Sequence, residues 1–177
     1  MEMGEPATVR ELFEEHHQHV LQAAYRITGS AQDAEDVLQT VFTRLLRRSE
    51  LPELGDKARA YLHRAAVNAA LDVVRGRRGL QAVPIEFAEP VLKARDMDRP
   101  DRMRSDSELG SWLREALSRL RPKSAELFVL RFVEGYSNQE IADLLGTTVG
   151  TVAVTLHRTR SRLRREITGL LGGMEHA

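Results

Sequence analysis

The chain has 177 residues, of which 42% are hydrophobic, and its 26 basic and 26 acidic residues cancel. This length suits one ordinary domain or two small ones, and a net charge of zero argues against tight, unaided binding to a polyanion. The absence of cysteine excludes disulfides, thiolate zinc sites and cysteine nucleophiles.

The N-terminal segment lacks the features of a secretory signal. Residues 1–19 carry acidic side chains where a signal peptide needs basic ones, and no apolar run follows. No stretch of the sequence approaches the apolar length that spans a membrane. We therefore expect a cytoplasmic protein with no membrane insertion.

Three helices are predicted in the N-terminal half, because apolar residues recur there at helical spacing. The first runs from about Thr8 to Ile27 and ends at Gly29. Ser30 has the character of an N-cap for the second helix, and a loop around residues 51–55 precedes a third helix over about Lys57 to Gly76. The apolar residues expected to face the core of this bundle are Ala34, Leu38, Val41, Phe42 and Leu45 of the second helix, with Ala58, Leu62, Ala65, Ala66, Ala69 and Val73 of the third.

Helical spacing stops in residues 80–105, which combine three prolines with mixed charges and predict a linker. The helical pattern resumes near Asp106 and continues into a helix over Pro122 to Gly135, with proline in its first turn. A capping-box pair begins the short helix predicted over Ser137 to Gly146. The last helix is expected over about Thr148 to Leu171.

These elements predict an all-α protein, since no convincing alternating strand pattern occurs in the sequence. We expect two small helical domains joined by a flexible linker. The N-terminal helical bundle would span residues 8–79, and a C-terminal four-helix domain with a helix-turn-helix would span residues 106–172.

Residues 137–166 have the pattern of a helix-turn-helix, which leaves one face of its second helix free to enter the major groove of DNA. The inner face is expected to carry Val149, Val152 and Leu156. The opposite face carries hydroxyls and a valine in its N-terminal half and arginines in its C-terminal half. This order suits contact of the first half with base edges and of the second half with phosphates. The alternative is a pair of packed helices with a basic exterior. The candidate DNA contacts are Thr148, Thr151, Val154, Thr155, Arg158, Arg162 and Arg165.

The third helix carries a polar stripe within a basic block, because residues 57–79 include six basic residues and one acidic residue. An aromatic ring can stack on a base, an amide can read a base edge, and guanidinium groups can hold phosphates. The stripe is therefore a candidate site for single-stranded nucleic acid, and a solvated helix face is the alternative. Its members are Lys57, Tyr61, Arg64, Asn68, Asp72 and Arg75.

The second helix presents a different surface, with Asp33, Asp36 and Gln39 expected to face outward. This helix belongs to an acidic block, because residues 1–56 include eleven acidic and five basic residues. An exposed acidic face beside basic nucleic-acid-binding faces favours a protein partner. An ordinary solubilising surface is the alternative.

No group of residues in the sequence indicates catalysis or cofactor binding. His16 and His19 have helical spacing but no third ligand in view, so an exposed polar helix face is expected rather than a metal site. No Ser/His/Asp order, phosphate loop or carboxylate pair stands out. We therefore expect a protein that is not an enzyme and that needs no cofactor.

Taken together, the segments resemble a bacterial RNA polymerase sigma factor of the extracytoplasmic-function (ECF) group, over about residues 9–171. The resemblance is carried by DAEDVLQTVFTRLLRR, by AYLHRAAVNAALDVVRGRR and, after the linker, by LREALSRLRPKSAELFVLRFVEGYSNQEIADLLGTTVGTVAVTLHRTRSRLRREI. It implies that Asp33, Asp36 and Gln39 dock on the β′ clamp helices of the polymerase. It also implies that the third-helix stripe melts and reads the −10 promoter element, that residues 50–57 capture a flipped base, and that the last helix reads the −35 element.

Two positions depart from the family pattern. Tyr61 stands where the family often has tryptophan, and Ala153, Val154 and Thr155 replace a run that is commonly basic and polar. We expect a −35 element read more by shape and by contact of Val154 with thymine methyl groups than by hydrogen bonds. Arg158 would be the main polar anchor.

The expected function is that of a sigma factor, which binds core polymerase and directs promoter-specific initiation. The partners implied by the resemblance are the β′ clamp helices and β flap of RNA polymerase, promoter DNA and an anti-sigma factor. One alternative is a stand-alone helix-turn-helix regulator that binds duplex DNA as a dimer. Another is a helical protein-interaction module that has lost DNA binding.

Overall fold

A computed structural model describes residues 8–48, 54–81 and 104–174 of the chain. Those residues contain no strand, so the all-α prediction is confirmed. None of the helices in these ranges is long and apolar enough to cross a membrane. Residues 50–53 of the predicted base-capture loop and residues 82–103 of the predicted linker lie outside the described residues. The helices are α1 (Val9–Thr28), α2 (Ala31–Leu46), a 3-10 helix (Gly55–Lys57), α3 (Ala58–Gln81), α4 (Arg104–Arg119), α5 (Pro122–Phe132), α6 (Asn138–Leu145) and α7 (Val149–Met174).

Local capping signals determine where α1 and α2 begin and end. Thr8 and Glu11 form a reciprocal capping box at the start of α1. Gly29 ends α1 in the left-handed conformation, with φ of 67°, which glycine adopts without steric cost. The hydroxyl of Ser30 then accepts a hydrogen bond from the Asp33 backbone N–H and caps α2. The predicted boundaries of α1 are confirmed to within one residue, and so is the predicted N-cap of α2.

Helices α1, α2 and α3 pack together into a three-helix bundle. The apolar residues predicted for the interior of α2 and α3 are buried, except Leu38, Ala65 and Val73, which are half-buried. Burial of a leucine such as Leu62 contributes roughly 1.5–3 kcal/mol to folding. His16 is also buried, so the expectation of an exposed polar face at this position is wrong.

In the C-terminal domain, α6 and α7 form the predicted helix-turn-helix. Ser137 and Glu140 form a reciprocal capping box at the start of α6, and Gly146 ends it with φ of 60°. Val152 and Leu156 of α7 are buried, as are Ile141 and Ala142 of α6. These four side chains fix the angle at which α7 leaves the turn.

Val149 does not lie on the inner face as predicted. It is 38% exposed, whereas Val152 one turn later is completely buried. Val149 is the first residue of α7 and lies between Thr148 and Gly150, which are both exposed. Helical periodicity predicts the direction of a side chain. It does not show whether a neighbouring helix extends far enough to cover that side chain.

The two domains pack against each other, because α4 and α5 both contact α3. The guanidinium of Arg114 on α4 covers Gly29, where an added Cβ would come within 2.6 Å of Arg114 Nη1. Burial lowers the pKa of Arg114. The turn between α1 and α2 therefore forms part of the interface between the domains.

Candidate nucleic-acid interface

The outer face of α7 begins with two hydroxyls that also organise the start of the helix. Thr148 Oγ1 accepts a hydrogen bond from the Thr151 backbone N–H at 3.2 Å, as an N-cap does. The two hydroxyl oxygens lie 2.9 Å apart. Further along, Val154 is 50% exposed, and Arg158 makes no hydrogen bond or ion pair with any residue that the structure describes. Hydroxyl, methyl and guanidinium groups are thus presented to solvent on one side of the helix.

The later arginines of α7 are partly engaged with the protein. Arg162 donates from Nη2 to the backbone carbonyl of Arg119 at 3.1 Å and pairs with Glu166 at 3.1 Å. Arg165 donates to the carbonyl of Ser161 at 3.4 Å. Both guanidinium groups remain exposed at the surface and are suited to phosphate contact rather than to base reading. Thr155 is half-buried, so it is less available to DNA than its neighbours.

The candidate stripe on α3 has an aromatic end and a polar middle. The guanidinium of Arg48 lies 5.9 Å from the centre of the Tyr61 ring, within cation–π range. Lys57 is exposed just before the helix. At the far end, Arg75 pairs with Asp72 at 3.3 Å. Five of the six predicted −10 residues lie in α3, at helical spacing, whereas Lys57 lies in the preceding 3-10 helix.

Two of these residues are already bound by a carboxylate of the other domain. Arg64 Nε donates to Glu126 Oε1 at 2.7 Å, and Asn68 Nδ2 donates to the same oxygen at 3.0 Å. Both side chains are half-buried rather than openly exposed. The expectation that this stripe faces solvent along its whole length is therefore wrong at Arg64 and Asn68. Glu126 was missed in the sequence, because nothing local indicates that it approaches α3.

A second carboxylate, Glu134, follows α5 and binds two groups of the N-terminal bundle. It accepts hydrogen bonds from Arg26 at 3.0 and 2.7 Å, and His63 Nε2 lies 3.2 Å from Oε2. Burial raises the pKa of Glu134, but the hydrogen bonds and charges of His63 and Arg26 outweigh burial and lower it overall. Glu134 is therefore an ionised carboxylate held between Arg26 and His63.

A histidine pair extends this cluster into α1. His63 Nδ1 lies 2.7 Å from His19 Nε2, and the two ring centres are 4.7 Å apart. Burial, followed by the positive charges of His63, Arg59 and Arg26, lowers the pKa of His19 to about 4. No group of three or more metal-ligating side chains occurs among residues 8–48, 54–81 and 104–174. The two histidines, both in the N-terminal bundle, are accounted for by the hydrogen bond between them.

The acidic residues of α2 occupy two different environments. Asp36 and Gln39 are exposed, as predicted. Asp33 is only 7% exposed and forms an ion pair with Arg77 of α3, so the prediction that it faces outward is wrong. Arg77 also donates to the carbonyl of Thr28 at 3.3 Å. Asp33 lies in the first turn of α2, where the packing of α3 against α2 buries its side chain.

An apolar groove that Gln39 lines was not predicted. Phe13 and Leu46 are exposed along it, although their size favours burial. Phe13 stacks edge-on against Phe42, with ring centres 5.0 Å apart. Large exposed apolar side chains next to polar ones are typical of protein-binding surfaces. Phe13 and Leu46 could have indicated the groove in the sequence, because each is an apolar residue on the polar side of its helix.

Comparison with known proteins assigns both domains. Residues 12–79 match Sigma-70 region 2, and residues 111–163 match Sigma-70, region 4. The ECF RNA polymerase sigma factor SigE of Mycolicibacterium smegmatis is 37% identical over 156 residues, covering 87% of this chain and 59% of that protein. The RNA polymerase sigma-E factor of Streptomyces coelicolor is 36% identical over 165 residues, covering 93% of this chain and 89% of that protein.

Among solved structures, the chain is similar to the sigma factor RpoE from Bartonella quintana, which was crystallised with the anti-sigma factor NepR. The TM-score is 0.48 and the identity 18%, covering 90% of this chain and 96% of that chain. Both sigma regions occur in this sequence in order, and the relative from Streptomyces coelicolor is covered over most of its length. The chain therefore belongs to the sigma-70 family of bacterial RNA polymerase sigma factors, within its ECF group.

Proposed function

We propose that this chain binds core RNA polymerase through α2, reads the −35 element through the outer face of α7, and reads and melts the −10 element through α3. Promoter-specific initiation is the function of its family, and the residue assignments are our proposal. The observation that supports them best is the exposed row of Thr151, Val154 and Arg158 on a helix whose opposite face is buried. The match to both sigma regions does not favour a stand-alone dimeric regulator.

For the −35 element, base contacts would come from the first half of α7. Thr148 and Thr151 offer hydroxyls, Val154 offers methyl groups to thymine, and Arg158 reaches a base edge or a phosphate. Arg162 and Arg165 are better placed to hold phosphates, because each already donates to the protein on its inner side.

For the −10 element, the α3 stripe offers the chemistry of single-strand binding. Tyr61 can stack on an unpaired base, which contributes about 1–3 kcal/mol per base. Arg64 and Asn68 supply a cation and an amide in the middle of the stripe. Lys57 and Arg75 extend its positive charge in both directions, and Asp72 orients Arg75 through their ion pair.

For core polymerase, the supporting features are the exposed Asp36 and Gln39 and the apolar groove that Gln39 lines. Phe13 and Leu46 would lose contact with water on binding a helical partner such as the β′ clamp helices. The β flap is the partner that the resemblance implies for the C-terminal domain. An anti-sigma protein is a further partner implied by the family, and coexpression with a candidate should suppress transcription.

The test is in vitro transcription with purified core polymerase and fragments of the source genome. Wild-type chain should direct initiation from specific promoters, and replacing both Thr151 and Arg158 with alanine should abolish −35-dependent initiation. Arg121→Ala is a matched control, because Arg121 is an exposed arginine before α5 and lies outside the residues assigned to DNA and to core polymerase. Failure of the wild-type chain to bind core and to initiate anywhere would refute the proposal.

A further inference from the structure

The C-terminal end of α2 places an arginine over the aromatic ring of the α3 stripe. The guanidinium carbon of Arg48 lies 5.9 Å from the centre of the Tyr61 ring. The backbone N–H of Arg48 donates to the carbonyl of Leu45 at 3.1 Å, so this residue is held against the last turn of α2. Both helices belong to the N-terminal bundle, and the pair therefore forms without any residue of the C-terminal domain.

The protein does not use the guanidinium of Arg48 for hydrogen bonding. The side chain is exposed, and it forms no hydrogen bond or ion pair with any residue in the described ranges. A cation at the end of a helix ordinarily stabilises that helix by facing its last carbonyl groups. Arg48 instead extends from α2 towards α3 and lies over Tyr61. Stabilisation of α2 therefore does not account for the position of the guanidinium.

Tyr61 is firmly placed for stacking, but its ring is small. It is half-buried and packs against the core of the bundle, while part of the side chain stays accessible. The phenol ring offers a base less contact area than the indole ring of tryptophan, which the family often has at this position. A second planar group beside the ring can supply the missing contact.

The distance between the guanidinium and the ring is wide for direct stacking of the two groups. Planar groups in direct contact lie about 3.5–4 Å apart. A base held between them needs about twice the 3.4 Å spacing of stacked bases, which is about 7 Å. The observed 5.9 Å is nearer to this second value. Because the Arg48 side chain is exposed and mobile, it can move the remaining distance of about 1 Å readily.

Both groups have the chemistry to cover the face of a nucleobase. Unpaired bases stack on aromatic rings and on the plane of a guanidinium group. The N–H donors of arginine lie in that plane, so the edge of the group stays available to a phosphate while its face covers a base. Lys57, which is exposed one turn before Tyr61, adds positive charge for the neighbouring backbone.

We propose that Arg48 and Tyr61 bind one unpaired base of the −10 strand between them, with the guanidinium as one wall of the site and the phenol ring as the other. The inference rests on the proposed function of Tyr61 in −10 recognition. Arg48 supplies stacking area that the tyrosine ring lacks. A lysine at position 48 would carry the charge without the plane and would not form this wall.

The first measurement locates the base. Holoenzyme is reconstituted from the full-length chain and purified core polymerase, and its ligand is a fluorescein-labelled fork DNA with the single-stranded −10 region of a promoter found by transcription. Tyr61→Leu should weaken binding of the intact fork at least about fivefold. Abasic sites are then placed in turn along the single strand. The stacked base is the one whose removal abolishes the effect of Tyr61→Leu.

The second measurement tests Arg48 on the intact fork and on the fork that lacks this base. Arg48→Ala should weaken binding of the intact fork about fivefold and should have no effect on the abasic fork. Arg48→Lys should bind as weakly as Arg48→Ala. In the Tyr61→Leu background, Arg48→Ala should cause no further loss, because one wall alone does not hold the base.

The matched control is Arg47→Ala. Arg47 is an exposed arginine at the same end of α2, and its removal should change binding of both forks by less than about twofold. Circular dichroism checks that each variant is folded.

The outcomes separate the inference from the function on which it rests. Equal losses from Arg48→Ala on the intact and abasic forks, or full recovery with lysine, would assign Arg48 to a phosphate and overturn the two-walled site. Unchanged binding by Arg48→Ala would overturn it as well. In these cases a loss with Tyr61→Leu leaves the proposed function intact. If Tyr61→Leu binds and transcribes like the wild type, or if no abasic site abolishes its effect, the stacking role of Tyr61 fails together with the inference.

Discussion

Replacing Asp33 with asparagine distinguishes a structural role of this carboxylate from a role in binding polymerase. Asp33 is nearly buried and pairs with Arg77, whereas Asp36 one turn later is exposed. Asp33→Asn keeps the shape of the side chain and removes its charge. Asp36→Asn makes the same chemical change at the surface of the same helix and is the matched comparison.

The size of the effect at Asp33 follows from its surroundings. Its side chain is 10% exposed and that of Arg77 is 25% exposed, so water screens the pair only in part. A charge-assisted hydrogen bond contributes about 1.5–3 kcal/mol and a neutral one about 0.5–1.5 kcal/mol. Loss of a negative charge in the first turn of α2 adds about 0.3–1 kcal/mol. We expect Asp33→Asn to lower the free energy of unfolding by about 1.5–2.5 kcal/mol.

Two assays compare these variants. In urea unfolding followed by circular dichroism, Asp36→Asn should stay within about 0.5 kcal/mol of the wild type. In competition with labelled wild-type chain for core polymerase, Asp36→Asn should bind about fivefold more weakly, while Asp33→Asn should bind within about twofold. The reasoning is refuted if Asp33→Asn unfolds like the wild type and loses more core affinity than Asp36→Asn does.

Substitutions at three other positions test the recognition helix, the histidine pair and the domain interface. Val154→Ser should lower the preference for thymine at one −35 position about fivefold, through loss of about 1 kcal/mol of methyl contact, as measured by transcription from a randomised promoter library; unchanged preferences at every position would refute a DNA-facing role. His19 has its pKa lowered from 6.5 to about 4, so the unfolded chain binds its proton first and stability falls as pH decreases from about 6.5 toward 4. His19→Gln should therefore reduce the loss of stability between pH 7.5 and 5 in urea unfolding, and an equal loss in both proteins would contradict this. Gly29→Ala should destabilise the chain by about 1–2 kcal/mol, because φ is 67° and the new Cβ meets Arg114; Gly29→Asn should cost less, since asparagine tolerates this conformation, and equal effects would point to the collision alone.

Features of the fold that depend on neighbouring residues could be predicted from the sequence. The capping residues Thr8, Ser30 and Ser137 and the left-handed glycines act within one helical turn, so their residue types determine where α1, α2 and α6 start and stop. The outward direction of Val154 likewise follows from helical geometry. Family resemblance supplied the roles, which periodicity alone does not give.

Features that depend on distant residues could not be predicted. Glu126 and Arg64 are 62 positions apart, and Glu134 and Arg26 are 108 positions apart. Each appears in the sequence as an ordinary charge on a helix, and only the packing of the two domains pairs them. The same limit explains Asp33, whose burial depends on where α3 places Arg77.

The hydroxyl pair at the start of α7 has a consequence for promoter tolerance. Thr148 and Thr151 share one hydrogen bond at 2.9 Å, and either oxygen can be the donor. One of the two hydroxyl protons is used within the pair, and the other points outward from whichever residue does not donate. Rotation of two light atoms therefore moves the outward donor from one threonine to the other without displacing the helix. Such a pair can donate to an acceptor on either of two adjacent base edges in the major groove. If α7 reads the −35 element as proposed, it should therefore tolerate more than one base opposite Thr148 and Thr151.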